Sequence, residues 1–159
     1  MTTIVLLAII SVGVSSRWFG ADAFRINSLA AEYVVYARLA QRIAMANSDV
    51  DIHLNLIQVS GDWQFAVIED EASVLTTLHQ VQIDAANIDI QATAGIGQSA
   101  LSTSTGLDIK FDGLGNISEV LIGSTQAQIA AGIAVEMTGT ISQLLCISPL
   151  GFAHAGTCV

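Results

Sequence analysis

Cysteine is the residue type with the clearest chemistry in this chain. Cys146 and Cys158 both fall in the last fourteen of 159 residues and enclose the turn-forming run Ser148-Pro149-Leu150-Gly151. Two cysteines so placed predict a short disulfide loop made in an oxidising compartment, with two free buried thiols as the alternative. In the chain-entropy model such a loop contributes roughly 3 kcal/mol and would pin a terminus that otherwise frays. No Cys-x-x-Cys pair is present, so zinc and thioredoxin-type chemistry fit poorly.

Other reactive types are scattered. His53, His79 and His154 lie far apart in sequence and none has a metal-binding spacing such as H-x-x-x-H, so each is expected on a strand or at the surface. There is no G-x-S-x-G and no P-loop. Asp112-Gly113-Leu114-Gly115-Asn116 has part of the look of a calcium loop but lacks the series of oxygen ligands and the closing Glu, and reads as a strand-ending turn. Glu69-Asp70-Glu71 could collect a divalent cation, although a solvated acidic loop is the plainer reading. The expectation is a protein that is not an enzyme, with no catalytic residues, metal or cofactor.

Charge is unevenly divided. Residues 1–48 carry a net +2, from Arg17, Arg25, Arg38 and Arg42 against Asp22 and Glu32, whereas residues 49–159 carry −11 with Lys110 as the single basic residue. A head so acidic repels phosphate backbones, which excludes nucleic acid as a partner.

The elements that must hold these residues divide into one helix and many strands. Ile4, Val5, Leu6, Leu7, Ile9, Ile10, Val12 and Val14 form an apolar block in a run without charge from Met1 to Ser16. As helix, sixteen residues reach about 24 Å, short of the ~30 Å hydrocarbon core, so the block reads as a membrane anchor missing its beginning. A signal peptide fits less well, for want of a basic region before the run and of a cleavage site after it. Arg17 and Trp18 suit a membrane interface. From Ile26 the apolar positions Ile26, Ala30, Tyr33, Ala37, Ala40 and Ala44 recur every four or three residues, a helical packing stripe whose small members allow close approach.

After Asn47 the period changes to two. Val50, Ile52, Leu54 and Leu56 alternate with polar residues, Ser60-Gly61-Asp62 makes a turn, and Trp63, Phe65 and Val67 return as the second strand of a hairpin. Residues 69–80 are ambiguous between a short helix and a polar loop, residues 81–92 alternate again, and Gly95–Gly106 is a loop or irregular edge. Leu107–Phe111 predicts a strand, and further short strands are expected near 117–122, 132–138 and 141–148. The resulting expectation is an α+β protein with a long N-terminal helix packed on a C-terminal antiparallel β-sheet head. Its parts would be a filament-core or transmembrane segment (1–20), an amphipathic helical half (21–47) and a β-rich head (48–159).

Thr2-Thr3-Ile4-Val5-Leu6-Leu7-Ala8-Ile9-Ile10-Ser11-Val12 resembles the apolar helix of type IV pilins and pseudopilins. Leu107–Asn116, Cys146–Phe152 and the ending Gly151-Phe152-Ala153-His154-Ala155-Gly156-Thr157-Cys158 are similar to minor pilins of the pseudopilin H group, those of the mannose-sensitive haemagglutinin (MSHA) pilus above all. The family's Phe-Thr-Leu-Ile-Glu-Leu segment and basic leader are not found, and a start assigned too late, or trimming, would account for that. The resemblance implies a structural minor subunit of a pilus, joined to major and minor pilins through its N-terminal helix and contributing to pilus biogenesis and surface attachment. It further implies residence in the inner membrane of a Gram-negative bacterium, head periplasmic, before assembly into the cell-surface pilus. A type II secretion pseudopilin and an anchored head that binds a surface glycan are the alternatives.

Overall fold

The computed structural model describes residues 22–85, 87–95 and 99–158 with their side chains, and Thr2–Ala21 and Gln98 only as parts of backbone elements. One helix, α1 (Thr2–Ala46), is followed by strands β1 (Asp51–Val59), β2 (Asp62–Glu71), β3 (Val74–Ile83), β4 (Asp89–Ala94), β5 (Gln98–Ala100) and β6 (Leu107–Phe111). The chain continues through β7 (Ile117–Ile122), β8 (Thr125–Gln126), β9 (Ile133–Thr138), β10 (Ser142–Ile147) and β11 (Ala153–Ala155).

The strands separate into two antiparallel sheets, a six-stranded one in the order β3-β2-β1-β6-β7-β8 and a five-stranded one in the order β11-β10-β9-β4-β5. This corrects the expected α+β arrangement of a long helix packed on one sheet. The described molecule is mostly β, and the stretch of helix whose packing is described, residues 22–46, is short beside eleven strands. The proposed anchor residues Ile4, Val5, Leu6, Leu7, Ile9, Ile10, Val12 and Val14 lie outside the residues described with side chains. Among the described residues, no helix is long and apolar enough to cross a membrane.

One core joins the two sheets and the helix. Ile26, Leu29, Ala30, Tyr33, Ala37, Ala40 and Ala44 of α1 are buried, and α1 touches β1, β2 and β6 of the larger sheet and β9, β10 and β11 of the smaller. Four alanines at this seam let the helix backbone approach both sheets, and Tyr33 supplies bulk against Phe65, ring centroids 6.0 Å apart. From the larger sheet come Ile52, Leu54, Leu56, Trp63, Phe65, Val67, Leu107, Ile109 and Phe111; the smaller adds Ile90, Ala92, Ile133, Val135, Leu145 and Ile147. The Trp63 Nε1–H donates to the Ile88 carbonyl at 2.9 Å, so the indole carries its polar atom into a satisfied position between the sheets.

Alternation decides the faces. In β1 every second residue from Ile52 to Leu56 is buried, and the register Leu54↔Val67 and Leu56↔Phe65 keeps the apolar sets on one side. The turn expected at Ser60-Gly61-Asp62 is a two-residue loop of Ser60 and Gly61, both at positive φ, with Asp62 already in β2. Residues 69–83 make strand on both sides of one tight turn. Of these, residues 69–80, expected as a short helix or a polar loop, are neither but the end of β2 and most of β3, joined by Ala72 and Ser73 at φ of 52° and 70°, and residues 81–83 complete β3 as their alternation suggested. That turn is built of residues that rarely adopt the left-handed region, so nothing in their types announces it. The alternation from 81 to 92 spans the end of β3, a connection and the start of β4, which belong to different sheets.

Candidate interaction site

The last turns of α1 meet two loops at one end of the molecule. In the first loop Asp112 organises the turn between β6 and β7. Its Oδ1 accepts from the Leu114 amide at 2.9 Å and the Asn116 amide at 2.8 Å, and its Oδ2 accepts from the Asn116 side chain at 3.1 Å. Burial pushes the Asp112 carboxyl up, but the donors from Asn116, Leu114 and Gly115 outweigh it and hold the group below its ordinary range. The carboxylate oxygens are committed to the turn, which is a strand-ending turn and not a calcium loop.

The second loop lies inside the disulfide. Cys146 is bonded to Cys158, with Cα atoms 5.2 Å apart, and β11 folds back on β10 with Cys146 opposite His154. Between the strands the Gly151 amide donates to the Ser148 carbonyl at 2.8 Å, and the Ser148 amide to that of Phe152 at 2.9 Å. Gly151 sits at φ 81°, and a Cβ there would run into the Gly115 carbonyl oxygen and the Gln41 amide. Only glycine allows the two loops to come this close.

Four hydrogen bonds fasten the pair to each other and to the helix. The Ile117 amide donates to the Pro149 carbonyl at 2.9 Å. The Gln41 Nε2 amide bridges both loops, donating to the carbonyls of Gly115 at 3.1 Å and Leu150 at 3.0 Å, and Arg38 Nη2 donates to the Ala153 carbonyl at 3.1 Å. Backbone so held cannot fold its apolar side chains inward. Leu114, Leu150 and Phe152 are left 80%, 65% and 66% exposed, with Met45 half-exposed beside the Gly115 loop. Large apolar groups on rigid, hydrogen-bonded loops lose little entropy when covered, which suits them to contact another macromolecule.

The remaining polar constellations are less directed. On the outer face of the larger sheet, His53 Nδ1 lies 2.7 Å from Asp108 Oδ1, Asn55 donates to Asp108 Oδ2 at 3.2 Å, and Lys110 pairs with Asp51 at 2.6 Å. The hydrogen bond to Asp108 raises His53 above its ordinary value of 6.5, burial opposing it. The imidazole is oriented by a carboxylate, but among the described residues its Nε2 meets no hydrogen-bonding partner, so no hydroxyl or thiol is held there to be activated. Glu69, Asp70 and Glu71 follow one another along β2 and so point to alternating faces, which keeps them from converging on one cation. Among the described residues no group of three His, Cys, Asp or Glu side chains is placed to hold a metal ion. His79 and His154 lie on β3 and β11, apart from His53 on β1.

A cleft of about 560 Å³ opens between the ends of the two sheets, lined in part by Ser99, Ser104, Thr105, Ser124, Thr125 and Gln128, with no charged side chain in its lining. Of the four aromatic residues available in the head for stacking on a ligand, Trp63, Phe65 and Phe111 are buried and Phe152 alone is exposed.

Comparison of the chain with protein-family models, curated proteins and solved structures gives no match. The cysteine pair and the turn at Asp112–Asn116 were visible in the sequence. Gln41 and Arg38, which join the loops to the helix, were not, because a glutamine and an arginine on an amphipathic helix look like any solvated polar face.

Proposed function

We propose that this chain is a structural, non-enzymatic subunit that works by contact with other proteins, a minor pilin of the MSHA-like kind. It would join major and minor pilins through its N-terminal helix, be held in the inner membrane of a Gram-negative bacterium with its head periplasmic, and end in the cell-surface pilus. The observation that carries this reading is the disulfide-closed loop, tied to the helix by Gln41 and Arg38 and holding Leu150 and Phe152 in solvent beside Leu114. A rigid apolar tip on an acidic head has the character of a protein–protein contact: an apolar centre to be desolvated, with a polar rim. The resemblance of residues 2–12 to the pilin apolar helix supplies the family.

The test is localisation during assembly. The full chain, tagged at Val159 and expressed in a piliated Gram-negative host, should be recovered with sheared surface filaments. Phe152→Asp should leave the protein folded and reduce its share in that fraction. Recovery only from the inner membrane, while pili are made normally, would defeat the proposal. The uncharged, hydroxyl-lined cleft favours one second reading, an anchored head that binds a neutral glycan through hydrogen bonds, and glycan-array binding abolished by Thr125→Arg would move it ahead.

A further inference from the structure

The outer end of the β2–β3 hairpin is built differently from its inner end. Trp63, Phe65, Ala66 and Val67 of β2 are buried, whereas none of residues 68–77 is. Leu78, Val81 and Ile83 of β3 pack against the core; Ile68, Val74 and Leu75 do not. The register of the two strands shifts between Val67 and Ile68, so a bulge stands where the buried half stops. Beyond it, Ile68, Glu69 and Asp70 pair with His53, Ile52 and Asp51 and so fasten the hairpin to β1. That fastening is opposed, because Asp70 stands directly across from Asp51. Lys110 pairs with Asp51 at 2.6 Å, and Asp70 has no such cation among the described residues.

Two buried side-chain atoms on this face lack partners, His53 Nε2 and Asp70 Oδ1. His53 pairs with Ile68, so Asp70 is its diagonal neighbour, at a separation an imidazole can reach across. With Nδ1–H given to Asp108 at 2.7 Å, a neutral ring offers Nε2 only as an acceptor, and two acceptors cannot bond. One added proton satisfies both. We propose that His53 and Asp70 form a proton latch: the doubly protonated ring donates Nε2–H to Asp70 Oδ1 and Nδ1–H to Asp108, tying β6, β1 and β2 together, and return of that proton to solvent frees the outer end of the hairpin. The charged groups around the ring are Asp51 of its own strand, Asp70 of β2, and Asp108 and Lys110 of β6, with Asp112 and Glu119 beyond Lys110. β3 adds none, since His79 pairs with Val67, which is buried on the opposite face. The Asp108 hydrogen bond and the charges of Asp108 and Asp70 favour the doubly protonated ring, against burial and Lys110. The latch is therefore closed below the ordinary value of 6.5 and opens as pH rises through the raised folded value. Repulsion among Asp51, Glu69, Asp70 and Glu71 then favours the open state. This inference stands independently of any part in a pilus.

Pulsed hydrogen exchange of the full chain across pH tests it, with rates corrected for the base catalysis of exchange itself. From about pH 6 to about pH 9, protection of the amides in residues 68–77 should fall roughly tenfold, while that of Leu54, Phe65 and Ile109 stays constant. Asp70→Asn keeps the shape of the side chain and removes its charge. The fall should then shrink to less than about twofold, and the His53 titration midpoint, followed by NMR of the ring, should drop. Should the variant fail to fold, the wild-type ring decides: below its midpoint the Nε2–H should exchange slowly, as a hydrogen-bonded proton does. Protection that does not vary with pH, a fall unchanged by Asp70→Asn, or an Nε2–H that exchanges as freely as in an exposed imidazole would each overturn the proposal.

Discussion

β11 and β3 are both edge strands, and the molecule treats them in opposite ways. β11 is three residues long, lies inside the Cys146–Cys158 loop, and has its Ala153 carbonyl taken by Arg38 from the helix. β3 is ten residues long, uncharged, and held on one side by β2 alone among the described strands. The first edge is stabilised by contacts distant in sequence, whereas the second depends on a hairpin whose turn is strained. The closed edge therefore displays side chains, Leu150 and Phe152, while the open edge displays backbone. Those are two different kinds of exposed surface, one of apolar side chains on a hydrogen-bonded loop, the other of unpaired backbone along an edge.

Breaking the shared core should erase the contrast altogether. Ala40 is fully buried where the helix meets the sheets, so Ala40→Glu places an unpaired charge in a packed seam. A loss of about 4 kcal/mol is expected, seen as a collapse of the urea midpoint with both edges losing amide protection together. Ala40→Ser, smaller and neutral, should recover most of the stability.

Removing the disulfide should break only the closed edge. Reduction, or Cys146→Ala with Cys158→Ala, is expected to cost about 3 kcal/mol. Hydrogen exchange should rise first in residues 148–158 and leave β3 unchanged. An exchange map that reductant does not alter would mean that Arg38 and Gln41 suffice to hold the loop.

The strained turn gives a change of the opposite sign. Ala72 and Ser73 occupy left-handed backbone that costs non-glycine residues roughly 1 kcal/mol each. Ala72→Asn with Ser73→Gly, the pair favoured in such a turn, should raise stability by about 1 kcal/mol, measured as a higher melting temperature.

A smaller effect lies in the pH dependence of the larger sheet. His53 is raised by its hydrogen bond to Asp108, so its charged form is favoured by folding. Its contribution is fully present below the ordinary value of 6.5 and is lost as pH rises through the raised folded value. His53→Gln should flatten that segment of the stability–pH curve and leave the limb below pH 5 as it was. Smallest of all, Thr77→Lys alone should change stability by less than about 0.5 kcal/mol, because Thr77 is exposed on an edge strand and adds little to the core.

Much of the local structure was legible. The β1–β2 hairpin announced itself through alternation and Ser60-Gly61, and β6, β7, β9 and β10 appeared close to their observed limits. The cysteines forecast their bridge. β3 was hidden because Ala72 and Ser73 carry no turn signal and because an edge strand exposed along its length has no buried alternation to detect. The apolar tip was hidden for a related reason, since exposure of Leu114 and Leu150 depends on what Gln41 and Gly151 do to the backbone beneath them.

What the sequence by itself determined is local: which residues alternate, which face of residues 26–44 is apolar, where chain-reversing residues stand, and that Cys146 and Cys158 can meet. Those follow from side-chain periodicity and backbone preference over a few residues. Tertiary structure alone decided that β4 joins β9 and not β3, that β1 lies between β2 and β6, and that the strands make two sheets sharing one helix. Strand pairing satisfies backbone groups with any partner, so the choice among partners rests on the joint packing of Tyr33, Trp63, Phe65 and the alanines of the helix, a sum over residues far apart in the chain.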